Sequence, residues 1–315
     1  MTISGYERIS PTKIEQCMVR NSVNNFRAPI QLTRGPLSGE IDVIALDDMW
    51  LARRRLSQMI CQFLTVPEKQ FALGLATGEQ PFFGPDGLAF AEGEISIAHA
   101  SRAFLQIIPA NVSFYSVRFT ESLSKNSISP SFFRDLQSVT NGSSPQQIAS
   151  KDFHRQLLTH LEAIFTLASE SKNADVSSQK TDLLHTLNAN ISKESVVNAR
   201  TNSRSRIFQR ATNFIIDTPI HAVTLDRVAA TCTTSRRNLE ITFAERIGIP
   251  PNEFITSIRL NAARKKLLAP EINESIASIA ESCGIKHLGK FAKNYSEMFG
   301  ELPSATLRQS LKTHT

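Results

Sequence analysis

The last third of the chain contains one pattern twice, and this repeat limits the folds that the region can adopt. The first copy runs from Leu225 to Gly248 and the second from Ile276 to Gly300. Each copy has a short apolar run, a turn, and a second run with helical spacing that ends at a glycine. The spacing predicts two pairs of short helices, in each of which the second helix packs at a steep angle and projects from the body. Such a pair is a helix-turn-helix unit.

Helix signals predict that residues 205–312 are entirely helical. Pro219 ends the first helix, and Thr224 and Ser235 stand where N-caps of the next two helices belong. A longer helix, Asn252–Leu268, separates the two copies. Two similar units on one rigid connector could contact successive major-groove segments of a DNA duplex, roughly 34 Å apart.

Arg236 and Arg237 directly follow the N-cap Ser235. The dipole of a helix disfavours positive charge at this end. The pair is therefore either plain solvated surface or faces a partner that is anionic enough to offset the dipole.

The N-terminal part has a different pattern. Between Ile30 and Phe119 short apolar runs alternate with turn signals, which favours a β-sandwich or barrel. The strand candidates are Ile41–Leu46, Gln70–Leu75, Ala103–Ile108 and Ser113–Phe119. Helical spacing follows over Gln146–Ser169, then a loop over residues 171–181 and a further helix from Asp182.

These patterns predict an α+β chain of two domains, as its length of 315 residues also favours. Residues 1–197 are expected to form a cupin-like β-barrel or sandwich with trailing helices. The polar residues 198–204 are expected to be a linker, and residues 205–315 an all-α domain of two helix-turn-helix units joined by a long helix.

The net charge of +6 is distributed unevenly. Residues 200–315 contain 17 Lys and Arg against 10 Asp and Glu, whereas residues 1–199 contain 18 against 19. The entire positive excess therefore lies in the helical region. This asymmetry is compatible with a polyanionic partner and equally with a domain that is simply soluble.

Several classes of protein lack support in the sequence. Four scattered cysteines without a Cys-x-x-Cys pair indicate reduced thiols, and no run has the ~18 apolar residues of a membrane span. The N-terminus has no signal-peptide core, so we expect a cytoplasmic protein without membrane contact. Motifs for nucleotide binding, nucleophilic catalysis and metal binding are absent, and the histidines are dispersed. We expect neither enzymatic activity nor a cofactor nor a metal ion.

Residue types agree with spacing over the whole helical region. The motifs are Val223-Thr-Leu-x-x-Val-Ala229, Ser235-x-x-x-Leu-x-x-x-Phe-x-x-x-x-Gly248, Ile258-Arg-Leu-x-Ala-Ala263, Ile276-x-x-Ile-Ala-x-x-x-Gly284 and Phe291-x-x-x-Tyr-x-x-x-Phe-Gly-x-x-Pro303. Together they closely resemble the double helix-turn-helix domain of AraC/XylS-type transcription regulators, over about residues 205–311. The resemblance implies a bacterial regulator, an activator in most cases, that binds double-stranded promoter DNA and contacts RNA polymerase.

The resemblance also implies roles for individual residues of the first unit. Arg237 and Glu240 match positions that face bases, where arginine pairs with guanine and glutamate accepts from cytosine. Ile241 could contact a thymine methyl, and Arg236 is equally suited to a phosphate. Plain solvated surface is the alternative for each of these side chains.

The second unit departs from the family pattern. It has Gly284-Ile285 where the family usually has Gly-Phe, followed by His287-Leu288-Gly289. We expect this unit mainly to position the protein on phosphates rather than to read bases. The expected DNA-contacting residues here are Lys286, His287, Gly289, Lys290 and Lys293. For Arg259 and Arg264 on the connector, salt bridges within the domain are the favoured role.

The N-terminal region is similar to the barrel-type effector or dimerisation domains of the same family. The segment Phe71–Gly84 resembles the subgroup of the ethanolamine-utilisation regulator. This similarity implies that the region binds a small-molecule effector or forms a homodimer. The wide apolar face of Gln146–Ser169 could pair with a second copy of the chain, although an intramolecular core explains that face at least as well. Eight aromatic residues could line an effector cavity, although core packing is the commoner role. They are Trp50, Phe63, Phe71, Phe82, Phe83, Phe90, Phe104 and Phe114.

Two other functions remain open at this point. A ligand-binding or protein-interaction module could use the basic helical domain to contact an acidic partner. An enzyme built on the barrel would require a constellation of residues that sequence spacing does not reveal.

Overall fold

The computed structural model describes residues 5–17, 25–99, 104–120, 146–171, 174–191, 197–198, 202–271 and 274–313. Within these ranges two antiparallel β-sheets are followed by a helical region, which confirms the predicted α+β fold class. The boundaries 1–197, 198–204 and 205–315 stay a prediction. Ala103, the first residue of one predicted strand, lies outside the described residues, as do residues 199–201 of the predicted linker.

The two sheets face each other as a sandwich. Sheet I has the strand order β1-β3-β4-β11-β6-β9-β12-β13 and sheet II the order β2-β5-β10-β7-β8. The strands of sheet I are β1 (Gly5–Ile9), β3 (Gly39–Leu46), β4 (Met49–Leu56), β6 (Gln70–Thr77), β9 (Glu94–His99), β11 (Ser113–Thr120), β12 (Gln146–Ala149) and β13 (Val197–Asn198). Those of sheet II are β2 (Asn25–Gln31), β5 (Ile60–Leu64), β7 (Phe82–Phe83), β8 (Ala89–Phe90) and β10 (Phe104–Ile108).

Alternate side chains of a strand point to opposite faces of its sheet, and the inner strands β3, β4, β6 and β11 of sheet I bury residues on both faces. Its outer face packs against two helices, α1 (Lys151–Glu170) and α2 (Ser177–Asn190). The apolar side of α1, including Phe153, Leu157 and Ile164, is fully buried in this cluster. The structure therefore gives this wide apolar face an intramolecular role.

Two predicted boundaries in this region were wrong. Residues 146–149 form strand β12 instead of the start of a helix, because they pair with β9 at the edge of sheet I. The N-cap Ser150, whose hydroxyl accepts from the Phe153 amide, then begins α1. Helix α2 begins at Ser177, inside the predicted loop 171–181, and its buried Leu183 and Leu187 pack on the core of sheet I.

The helical region contains the two predicted units. Its helices are α3 (Ser203–Asp217), α4 (Leu225–Thr231), α5 (Arg236–Ile247), α6 (Pro251–Leu268), α7 (Ile276–Ser282), α8 (Leu288–Phe299) and α9 (Pro303–Thr313). The side chains of Thr224 and Ser235 cap α4 and α5 as expected. Gly248 and Gly300 end α5 and α8 with φ angles of 66° and 73°, a left-handed conformation that favours glycine.

Two of the predicted DNA-contacting residues of the second unit lie before helix α8 and not within it. This helix begins at Leu288, so Lys286 and His287 precede it, and His287 occupies the N-cap without a side-chain cap. Gly289 consequently lies in the first turn, where backbone N–H groups have no intrahelical partner in any case. Gly289 therefore lowers the stability of α8 by less than a glycine in the helix interior would.

The helical region has two cores. The first unit and the start of α6 share a core with the outer face of sheet II, where Phe208 of α3 contacts Phe83 at 5.8 Å between ring centroids. The second unit packs on the end of α6 around Phe291 and Tyr295. Sheet II is thus covered on its outer face by helices of the C-terminal region.

Candidate functional site

Helix α5 presents one polar surface and buries the other. Leu239, Phe243 and Ile247 are buried in the first core. The 3.6-residue period leaves the predicted site residues of its N-terminal half exposed on the opposite side, namely Arg236, Arg237, Glu240 and Ile241. The side chain of Ile241 is 38% exposed, which is unusual for a large apolar residue of this chain.

The two arginines at the start of α5 have different surroundings. Arg236 forms an ion pair with Asp226 of α4 through both Nε and Nη2. The hydrogen bond to Asp226 raises the pKa of Arg236. Arg237, by contrast, has no ion-pair partner in the described parts of the chain. One of the two charges that oppose the helix dipole is therefore balanced by a neighbouring carboxylate, and the other faces solvent.

The start of α8 forms the second exposed surface. Phe291, Tyr295 and Met298 hold this helix in the second core. The predicted site residues of this unit are all exposed, namely Lys286, His287, Gly289, Lys290 and Lys293. Leu288 lies among them with 47% of its surface exposed. Lys293 Nζ lies 3.9 Å from Glu297 Oε1, one turn further along α8.

Both connector arginines make contacts within the chain, but among the described residues only Arg264 forms the salt bridge that the sequence favoured for both. Arg259 donates from Nη2 to the Val223 carbonyl at 2.8 Å, and its Nε would lie 3.2 Å from a Cβ added at Gly284. Arg264 is 2% exposed and bonds Glu301 at 2.7 Å within the helical region. The prediction of pairing only within that domain was incomplete, because Arg264 Nε also bonds Glu15 of the N-terminal part at 2.6 Å.

Helix α6 covers the open edge of sheet II. Asn261 accepts from the Gln31 amide at 3.1 Å and donates to the Gln31 carbonyl at 2.9 Å, as a neighbouring strand would. Ser257 donates to the Leu32 carbonyl at 2.9 Å. Ser257, Asn261 and Arg264 follow the i, i+4, i+7 spacing of one helix face. The sequence contains this spacing of polar residues, but the spacing alone does not show that the stripe contacts sheet II.

The loop after β2 contacts the end of α8. The Gly35 amide donates to the Glu297 carbonyl at 2.8 Å, and Gln31 Nε2 donates to the Met298 carbonyl at 2.7 Å. Arg34 forms an ion pair with the Glu297 side chain. Carbonyls at a helix C-terminus have no intrahelical donors, so the N-terminal part supplies donors that the second unit lacks.

The sandwich contains a small cavity of ≈ 40 Å³ between its sheets. A row of small side chains on the inner face of sheet I leaves this space, since Ser116, Gly74 and Ser96 are direct neighbours in register. The remaining lining residues are Arg54, Gln62, Leu64, Val66, Ala72, Leu73, Pro85, Ala98, Phe104, Gln106 and Phe114.

Two of the eight aromatic candidates, Phe104 and Phe114, line this cavity. Five others lie in apolar cores, namely Phe63, Phe71, Phe82, Phe83 and Phe90. Trp50 stacks with the Arg118 guanidinium at 4.5 Å. Sheet II forms the other wall, and its outward side chains belong to the first core of the helical region. One sheet therefore separates the cavity from the helix-turn-helix units.

Buried titratable groups elsewhere have structural partners. His154 bonds the Ala76 carbonyl at 3.0 Å, and burial lowers its pKa. His160 bonds Thr186 at 3.0 Å and so joins α1 to α2. All four cysteines are buried and free, as expected of reduced thiols. None of the described helices is long and apolar enough to cross a membrane.

Comparison with known proteins places the helical region in a family. The model of a helix-turn-helix domain family matches residues 228–309. The XylDLEGF operon transcriptional activator of Pseudomonas putida is 37% identical over 131 residues, 41% of this chain and 39% of that protein. The XylDLEGF operon transcriptional activator 2 of the same species is 34% identical over 128 residues, 40% of this chain and 78% of that protein.

The solved structures give a similar match. A probable AraC family transcriptional regulator from Rhodopseudomonas palustris CGA009 is 29% identical, with a TM-score of 0.32, and covers 33% of this chain and 96% of its own. The alignments with the first curated relatives span only 38% and 39% of those proteins. The alignment with the XylDLEGF operon transcriptional activator 2 nevertheless extends over 78% of that protein at 34% identity. This chain belongs to the AraC/XylS family of transcription regulators.

Proposed function

We propose that the protein is a sequence-specific DNA-binding regulator that inserts α5 and α8 into successive major-groove segments of a promoter. One observation carries this proposal. Both second helices of the repeat bury one face in a core and expose a predominantly cationic N-terminal half. The long helix α6 connects them, in the part of the chain that holds its whole positive excess.

The first unit is the reader in this proposal. Arg237 is free to pair with guanine, and Glu240, one turn later, can accept from cytosine N4. Ile241 is exposed and suited to a thymine methyl. Arg236 contacts a phosphate of the duplex, and its ion pair with Asp226 must break before this contact can form.

The second unit contributes mainly charge. Lys286, Lys290 and Lys293 neutralise phosphates around the start of α8, and His287 and Gly289 lie against the groove. Leu288 adds an exposed apolar side chain at the same place, which supports contact with a thymine methyl beyond what the sequence predicted.

We further propose that promoter binding activates transcription through RNA polymerase. The support is that the Pseudomonas relatives are named transcriptional activators. The N-terminal part senses a small molecule, for which the enclosed cavity and the shared sheet II are the support. A homodimer through this part needs a surface other than the apolar face of α1, because that face is covered within the chain.

A gel-shift assay with salt titration tests the proposal. The full chain first selects duplexes from a randomised pool, and affinity for a selected duplex is then measured at increasing salt. If six to ten phosphates are neutralised, affinity falls by about 10³–10⁵ between 50 and 200 mM salt. Arg237→Ala and Glu240→Ala should each weaken the selected duplex by about 1–3 kcal/mol and random duplexes far less.

Arg210→Ala is the matched control, because Arg210 is an exposed arginine on α3, outside both helix starts. It should leave the preference for the selected duplex unchanged. Salt-independent binding, or equal affinity for all duplexes, would contradict sequence-specific recognition and would favour an acidic protein partner for the basic region.

A further inference from the structure

The cavity between the sheets contains a buried arginine without a counter-charge. Arg54 is 6% exposed and lines the cavity from β4. Its Nη1 donates to Gln62 at 2.6 Å, whereas its Nε has no hydrogen-bond partner in the described chain. Burial lowers the pKa of Arg54, and no described carboxylate forms an ion pair with it. A buried charge in this state is costly unless something pairs with it.

The polar groups around Arg54 are arranged as donors. A guanidinium can only donate, so Gln62 presents its oxygen to Arg54 and its nitrogen to Gln106 Oε1 at 2.5 Å. Register explains this contact, since Gln62 and Gln106 are directly opposite in sheet II. The chain of hydrogen bonds therefore ends in the amide N–H₂ of Gln106. Both ends of the chain, at Arg54 and at Gln106, offer hydrogen to the cavity.

A group that accepts at several oxygens and carries one negative charge complements these donors. Carboxylate is such a group, because it only accepts and binds guanidinium through two parallel hydrogen bonds. A doubly charged phosphate would remain half neutralised by a single arginine. Apolar walls from Leu64, Val66 and Phe114 suit a short alkyl group.

The volume limits the size of this ligand. At about 10–15 Å³ for each water, the cavity of ≈ 40 Å³ holds roughly three waters. Gly74 is necessary for this space, because a Cβ there would lie 2.7 Å from Ser96 Oγ and 3.1 Å from the Phe114 ring. A molecule of three to five non-hydrogen atoms, from formate to propionate, is of about this size.

We propose that the cavity binds a short-chain carboxylate, whose carboxylate group pairs with Arg54 and accepts a hydrogen bond from Gln106. This inference rests on the proposed sensing role of the N-terminal part and names the chemical class that it senses. The ligand completes the ion pair that the fold leaves open. Gln62 and Gln106 lie on the cavity face of sheet II. The next residue along each strand, Phe63 and Ile107, lies on the opposite face and packs against the helical region.

Thermal unfolding and calorimetric titration of the full chain test this proposal. Formate, acetate and propionate are compared with acetamide and propionamide, which match two of them in shape without the charge. At roughly 100 times its Kd a carboxylate should raise the unfolding temperature by about 5–10 °C, and the amides should not. Arg54→Met should weaken acetate binding at least about tenfold.

Arg55→Gln is the control, because Arg55 is exposed on the same strand. It should bind acetate like the natural chain. A second variant, Gln62→Glu, keeps the test decisive if Arg54→Met does not fold. It places a carboxylate at the atom that already lies 2.6 Å from Arg54, so it should raise the unfolding temperature without ligand and abolish acetate binding.

Binding of acetamide with the affinity of acetate, or of phosphate, sulfate and chloride in preference to carboxylates, would overturn the proposal. So would an Arg54→Met chain that binds acetate with the affinity of the natural chain, or a natural chain whose unfolding temperature no carboxylate raises, since Arg54 would then not hold a carboxylate. The same samples are assayed for DNA binding. If the natural chain binds DNA but no carboxylate, only this inference is refuted. If the natural chain does not bind DNA, the proposed function is refuted.

Discussion

At the scale of the residue, the pair Arg236 and Asp226 determines how much charge the first unit offers to DNA. Asp226→Asn removes the carboxylate that both Nε and Nη2 of Arg236 contact. We expect affinity for duplex DNA to rise by up to about fivefold at low salt, because an exposed ion pair of roughly 0–1 kcal/mol no longer competes with phosphate. Gel shifts at several salt concentrations measure this change, and the salt dependence should steepen.

The control is Glu245→Gln on α5, which removes the same charge from the same helix-turn-helix unit. Glu245 pairs with Arg204 at the start of α3, so this variant frees an arginine away from the exposed start of α5. An equal gain in both variants would show that general charge, and not Arg236, causes the effect.

At the scale of the element, the glycine after α7 is more constrained than the glycine that ends α5. Gly284 has a φ of +77°, and an added Cβ would lie 2.8 Å from the His221 Cα. Gly248 has a φ of +66° with no atom within 4 Å of that position. Gly248→Ala should cost about 1–2 kcal/mol in the free energy of unfolding from backbone strain, and Gly284→Ala about 1–3 kcal/mol more from the clash.

Chemical denaturation of the two variants measures this difference. Because His221 lies in the turn before the first unit and Gly284 in the second, the clash would also move the units relative to each other. Equal losses in both variants would mean that the close approach at His221 does not stabilise the fold.

At the scale of the whole molecule, Arg264 joins the two parts of the chain. Burial acts to lower its pKa, but hydrogen bonds to Glu15 and Glu301 and nearby negative charge outweigh burial and raise it. Glu15→Gln removes the charge on the N-terminal side. We expect the free energy of unfolding to fall by about 1.5–3 kcal/mol. The fall should be near the lower figure, because the Glu15 side chain is 37% exposed. Faster proteolysis between the two parts should accompany this loss.

Glu68→Gln makes the same change at an exposed glutamate and should leave proteolysis unchanged.

Glu301, the other carboxylate that pairs with Arg264, makes the stability depend on pH. Burial acts to raise the pKa of Glu301, but hydrogen bonds from Arg264 and Thr306 hold it below the ordinary value of 4.5. Its contribution to stability is therefore complete above that value and is lost as the pH falls through the lowered pKa. Glu301→Gln should flatten this acid slope, and an unchanged slope would contradict the assignment.

The repeat, the caps and the closing glycines were predictable because they depend on neighbours within one or two turns. Ser235 and Gly248 fix the ends of α5 through local hydrogen bonds and backbone conformation, so their positions in the sequence determine them. Strand β12 and helix α2 were misjudged for the opposite reason. Pairing with β9 and packing on sheet I, both distant in sequence, decide their conformations.

The sequence by itself determined two helix-turn-helix units, a basic C-terminal region and an antiparallel sandwich, since period, charge and turn chemistry are local properties. Only the tertiary structure decided which of two adjacent arginines is already paired. It also brought Glu15 to Arg264, over 249 residues, and placed Gln62 opposite Gln106 beside the unpaired Arg54. Such contacts join residues far apart in the chain, and their charges acquire meaning only when burial removes the water that would otherwise solvate them.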